Sequence, residues 1–112
     1  MSATEWRAKL ASGLRVLEQG ASDRVHFLLR NGTTRVGVYA PSGHDSQTPH
    51  TQDELYIVAT GTGEIVKRGE RQRFEPGDVM FIEAGAPHRF ENFSVDFAAW
   101  VVCWGPTGGE GI

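Results

Sequence analysis

A chain of 112 residues with 39% apolar and 22% charged side chains has room for one core and one domain, and its composition is not that of a disordered segment. Its net charge of -3 and its arginines, scattered from Arg7 to Arg89, form no basic stripe, which argues against a nucleic-acid partner. The longest wholly apolar run, 97–104, falls far short of the roughly 20 residues a helix needs to cross a bilayer.

At the start of the chain, Thr4 is placed to cap a helix running to about Glu18, with Trp6, Leu10, Leu14 and Leu17 on one face. Gly13 weakens this helix and Gly20 is suited to stop it. Glu5, Arg7, Lys9, Arg15 and Glu18 interrupt any apolar leader, so the expected location is cytoplasmic.

From Arg24 onward the pattern changes to short apolar or alternating runs, predicting strands over 25–29, 34–40, 54–60, 63–68, 71–74, 79–82, 88–92 and 97–104. Turn chemistry separates them, including Asn31-Gly32, Gly61-Thr62-Gly63 and Pro76-Gly77-Asp78. Short, evenly spaced strands without intervening helices predict an all-β sandwich or barrel. The expected division is a helical segment over 1–22, a barrel over 23–105 and a glycine-rich tail over 106–112 that frays.

Two strands carry further information. The run 97–104 is apolar at both parities, so one face should line the interior while the other meets the helix or a second subunit. In 88–92, His88, Phe90 and Asn92 share one face and Arg89 and Glu91 the other, which places His88 inside if the charges face water. Cys103, the only cysteine, has no disulfide partner and is expected to pack as a small hydrophobe.

Glu54, Tyr56 and Val58 share a strand face, and His50 has the same parity if the strand extends back to it. Polar donors on an apolar inner face are destabilising unless paired or coordinated. Two imidazoles and a carboxylate suit Fe, Mn, Ni or Zn as a single divalent ion, with positions left open for a small anionic or oxygen-rich ligand. Taken singly, His50, Glu54 and His88 also read as loop, strand and turn residues; their joint spacing carries the metal assignment.

That spacing resembles the two motifs of the cupin family, in its small single-domain members. Gly43, His50, Glu54 and Gly61 fall close to the first motif, and Gly77, Gly85, His88 and Asn92 match the second. The chain departs from the family at Thr48, which stands where a first histidine is usual, and at Glu83, which stands where proline is usual. The resemblance implies a jelly-roll barrel and a metal held by His50, Glu54 and His88, with Gln47, Thr48, Tyr56, Phe90 and Asn92 as further ligand or pocket candidates. It also implies metal-dependent chemistry of dioxygenase type, with isomerase, epimerase or lyase chemistry as variants and a non-catalytic binding module as the alternative. No catalytic side chain is nominated. Trp6, Trp100, Trp104 and the apolar last strand predict a homodimer.

Overall fold

The computed structural model describes residues 6–20, 23–45 and 48–111. Among these, a helix α1 (Leu10–Leu17) precedes strands β1 (Val25–Asn31), β2 (Thr34–Tyr39), β3 (Asp53–Thr60), β4 (Gly63–Lys67), β5 (Glu70–Phe74), β6 (Val79–Ile82), β7 (His88–Glu91) and β8 (Ala98–Trp104). Each expected strand is present, with its ends displaced by two residues at most. They form a five-stranded antiparallel sheet, β1-β2-β8-β3-β6, and a three-stranded one, β5-β4-β7. Their inner faces meet in one core: Tyr56, Val58, Ala99 and Val101 from the larger sheet pack with Ile65, Phe74 and Phe90 from the smaller. This is the jelly roll that the family resemblance implies.

The helix is shorter than expected, and Thr4, its predicted cap, lies outside the described residues. Lys9 occupies the N-cap position without a side-chain bond, and Trp6, expected on the packed face, is 87% exposed. Helix begins where its apolar stripe finds something to cover. Leu10, Leu14 and Leu17 pack on Val38, Ala40, Ala98 and Trp100, and tertiary burial of this kind stabilises a short helix more than propensity does. Gly13 is the point of closest approach, since a Cβ there would lie 2.6 Å from Cγ2 of Val38. Gly20 ends the helix at φ 90°, and its N–H donates to the carbonyl of Leu17 at 3.0 Å.

In β8 the two parities divide as expected. Ala99, Val101 and Cys103 enter the barrel core, while Ala98 and Trp100 meet α1. Beyond α1 the outer face of this sheet remains apolar, with Val79 58% and Phe81 48% exposed and the Phe81 ring against Trp104. On β7, Arg89 and Glu91 face outward and pair with each other, and Arg71 bridges Glu91 to Glu64.

The glycine-rich end, expected to fray, is hydrogen-bonded to the first residue of β3 and to the loop before it. Gly108 N–H donates to the carbonyl of Thr51 at 2.7 Å, and Glu110 N–H donates to Oδ2 of Asp53 at 2.9 Å. The acceptors lie more than fifty residues away in sequence, so no local pattern announces them.

Candidate metal centre

Inward parity on β3 delivers Glu54, which is 1% exposed, and β7 delivers His88 at its first residue. His50 arrives differently from the expectation. Strand β3 begins at Asp53, so His50 sits in the preceding loop, and strand parity does not aim it. Its position is fixed through the backbone: Gly85 N–H, in the turn before His88, donates to the carbonyl of His50 at 2.8 Å. Gly85 adopts φ 81°, a conformation glycine reaches without steric cost. Asp53 reinforces the same clamp, because its Oδ1 accepts the N–H of Ala84 at 2.9 Å. Glu83, in the place of the family's proline, anchors this turn by charge, pairing with Lys67 at 2.5 Å and Arg68 at 3.5 Å.

These elements bring His50, Glu54 and His88 together. Nε2 of His88 is 3.2 Å and Nε2 of His50 is 3.6 Å from Oε1 of Glu54, and the three ligand atoms lie within 4.8 Å of one another. Donors held to one first-row ion at about 2.0–2.2 Å stand about 3–3.5 Å apart, a range that the His88–Glu54 separation meets and the His50–Glu54 separation approaches.

The tautomer of His88 sharpens the point. Its Nδ1 lies 2.9 Å from the carbonyl oxygen of Ala86, which can only accept, so Nδ1 carries the hydrogen. In the neutral ring Nε2 therefore presents a lone pair to a carboxylate oxygen. Oε1 of Glu54 is buried and has no hydrogen-bond donor of its own. A cation between these atoms, either a metal or a proton on His88, removes the conflict. Without a metal the surroundings favour the proton: burial pulls the His88 pKa down, but Glu54 and the Ala86 carbonyl outweigh it and raise the value above the ordinary 6.5.

The remaining candidates separate. Thr48 and Tyr56 line the cavity beside Glu54, and the Tyr56 hydroxyl lies 3.4 Å from Nε2 of His88. Phe90 does not reach that cavity; it is buried among Tyr39, Tyr56, Phe74 and Phe97 and fills the core. Asn92 lies outside the site. Strand β7 ends at Glu91, and at φ 51° Asn92 turns outward to donate to Oε1 of Glu64 at 2.6 Å. Gln47 lies outside the described residues.

The cavity has a volume of about 400 Å³ and adjoins His50 and Glu54. Its wall also holds residues that the motif frame did not single out, notably Arg24, Arg35, Tyr39 and His44. Tyr39 is locked: its hydroxyl donates to Oδ1 of buried Asp45 at 2.5 Å, while Oδ2 of Asp45 accepts Phe90 N–H at 2.8 Å. Burial first, then the Asp45 bond, drives the Tyr39 pKa far above the usual tyrosine range. Cys103 is buried as expected but is not only a hydrophobe, since its Sγ lies 3.7 Å from Oε2 of Glu54. Burial and then Glu54 push its thiol up to about 11.

Comparison with known proteins agrees with this architecture. A protein of Streptomyces coelicolor described as uncharacterized is 36% identical over 88 residues, covering 76% of this chain and 84% of the relative. A second uncharacterized protein, from Aquifex aeolicus, is 28% identical over 79 residues, covering 68% of this chain and 65% of that one. Among solved structures, a cupin 2 conserved barrel domain protein from Salinispora arenicola superposes with TM-score 0.66 and 26% identity, covering 93% of this chain and 91% of its own. The family model described as Cupin domain matches residues 35–104, which takes in β2 through β8 and all three candidate ligands. The chain belongs to the cupin domain family.

Proposed function

We propose that His50, Glu54 and His88 hold one divalent ion, Fe, Mn, Ni or Zn, and that the site acts on a small oxygen-rich or anionic molecule in the adjoining cavity. The observation that carries this reading is the facing of the Nε2 lone pair of His88 and the undonated Oε1 of Glu54 at 3.2 Å, inside the barrel. His50, with its side chain 41% exposed, supplies the third donor from the open side. Three protein donors leave part of an ion's coordination free. When bound, the ion supplies Lewis acidity and, if it is iron, a redox partner for dioxygen.

Two of the cavity's own groups are poorly suited to isomerase or lyase chemistry. A proton-shuttling reaction needs a base near neutral pH, and Tyr39 and Cys103 are both held protonated there. Glu54 contributes charge, the Ala86 carbonyl fixes the His88 tautomer, and the aromatic core behind Tyr56 excludes water from the buried side. Anaerobic loading with Fe(II), followed by oxygen uptake over catechols, diketones and thiol acids, tests the dioxygenase reading; absence of uptake with all of them counts against it.

Thr48 favours a second reading, a binding module that holds its ligand unchanged, because it removes a donor that the family's usual site has. Recovery of a chemically altered ligand after incubation with the metal-loaded chain defeats that reading. The open apolar face around Val79, Phe81 and Trp104 supports pairing of two copies. Sedimentation at low micromolar concentration tests it, and a clean monomer refutes it.

A further inference from the structure

Arg35 stands on the inner face of β2, where alternation otherwise places Gly37 and Tyr39. Register makes its setting specific. Arg35 pairs with Cys103 on β8, and Cys103 pairs with Glu54 on β3, so the three lie in one transverse row facing the cavity. Successive strands are about 4.8 Å apart, which sets the backbones of Arg35 and Glu54 about 10 Å apart with the thiol between them.

The partners of Arg35 are all neutral. Its Nη2 donates to Oε1 of Gln52 at 2.9 Å, and its guanidinium lies over the ring of Phe27, 4.4 Å from the centroid. The Arg35 guanidinium also draws the Cys103 thiol downward, against the larger effect of burial. Among the described residues it makes no ion pair. Arg24 in the same wall also has neutral partners, but two of its nitrogens, Nε and Nη1, are taken up by the carbonyls of Ala40 and Leu17, whereas Arg35 engages Nη2 with Gln52.

The platform beneath Arg35 is built in two steps. Gly37 leaves the space that the Phe27 ring occupies, since a Cβ there would come within 2.9 Å of Cδ1 of Phe27. Gln52 is oriented in turn, because its Nε2 donates to the carbonyl of Gly105 at 2.9 Å, which turns its oxygen toward Arg35. A half-buried guanidinium braced this way, with no acid to neutralise it, has donors left over in a planar fork that fits a carboxylate.

We infer that Arg35 is the anion-recognition residue of this cavity and that its ligand is a short dicarboxylate or an acid with a second oxygen donor. One carboxylate docks on Arg35 while the other donor faces His50 and Glu54. This rests on the metal reading for the second end only. The Arg35 end stands on its own geometry, so the two can fail separately.

Calorimetric titration of malonate, succinate and glutarate into the intact chain, with the corresponding diamides as uncharged controls, tests the assignment. It is run with and without Zn(II), and metal content is assayed in parallel. At least one dianion is expected to bind while its diamide does not, and Arg35→Gln is expected to weaken that binding roughly 10- to 100-fold with metal stoichiometry unchanged. Arg35→Lys, which keeps the charge without the fork, should fall between them, and it carries the comparison if Arg35→Gln melts below the assay temperature. Diamides binding as well as dianions, no dianion binding, or full affinity in whichever Arg35 variant is folded overturns the assignment. Arg35-dependent binding in a chain that retains no zinc upholds it and removes zinc from the metal reading instead.

Discussion

The two ends of this barrel obey the same strand alternation and come to opposite results. At one end Phe74, Phe90, Phe93 and Phe97 interlock, with ring centroids 4.8–5.7 Å apart, and leave no cavity lined by those four rings together. At the other, inward positions carry Glu54, Cys103 and Arg35 around a cavity of about 400 Å³, with His88 behind Glu54 at 3.2 Å. Alternation decides only that a side chain points inward. Whether the interior becomes core or site depends on whether inward groups satisfy one another, and among the described residues at the second end they do not: Oε1 of Glu54 lacks a donor and Arg35 lacks an acid.

The comparison breaks most readily at the filled end. Phe90→Ala removes a fully buried ring that touches four others, and it should destabilise the fold by about 3–5 kcal/mol in denaturant unfolding. The surviving folded chain should still bind one metal ion per molecule, because the ring is not part of the metal trio. Loss of metal stoichiometry in folded Phe90→Ala would show that the two ends are not separable.

At the polar end the largest effect should come from the metal itself. Saturating the wild-type chain at a hundredfold excess over Kd should stabilise it by about 2.7 kcal/mol, read as a rise in Tm. Glu54→Gln should abolish that rise while keeping the metal-free fold, since the substitution is nearly isosteric and replaces an oxygen that had no donor. An equal metal-induced rise in wild type and Glu54→Gln would exclude Glu54 as a ligand.

The pH dependence should have opposite signs in the two states. The His88 pKa is raised in the folded metal-free chain, so its contribution to stability is complete below about 6.5 and is lost as pH rises through the folded value. Metal binding instead needs neutral His88 and strengthens over the same window. The gap in Tm between metal-loaded and metal-free protein should therefore widen from about pH 6 to pH 8. A gap that narrows would mean that His88 is only the partner of a salt bridge.

Much of this organisation is legible in the sequence where the signal is local. Turn glycines and period-two alternation mark all eight strands, and fixed spacing picks out His50, Glu54 and His88. What escapes is set by partners far along the chain. Arg35 reads as one polar residue on an edge of alternation until β8 lies between it and Glu54, a sheet order that no local pattern states. Asp45 likewise looks like a loop acid, and its role appears only when Tyr39 and the Phe90 backbone converge on it. Asn92 errs in the other direction: its parity extends the β7 pattern, but a left-handed φ turns it to Glu64.

Tyr56 joins the two ends, and its hydroxyl gives the finest test of where one stops. The ring packs edge-on against Phe90 at 4.9 Å, in the filled region, while the hydroxyl reaches Nε2 of His88 at 3.4 Å, in the polar one. Tyr56→Phe keeps the ring and removes only that oxygen. If the hydroxyl serves stability, the metal-free chain should lose about 0.5–1.5 kcal/mol, the net contribution of one hydrogen bond. If instead it faces the ion's ligand, stability and metal stoichiometry should both hold while succinate affinity changes in the metal-loaded chain. The 3.4 Å separation lies beyond the usual range for a strong bond, which favours the second outcome. A loss of metal stoichiometry in Tyr56→Phe would move the hydroxyl into the coordination set and extend the polar end one residue further along β3.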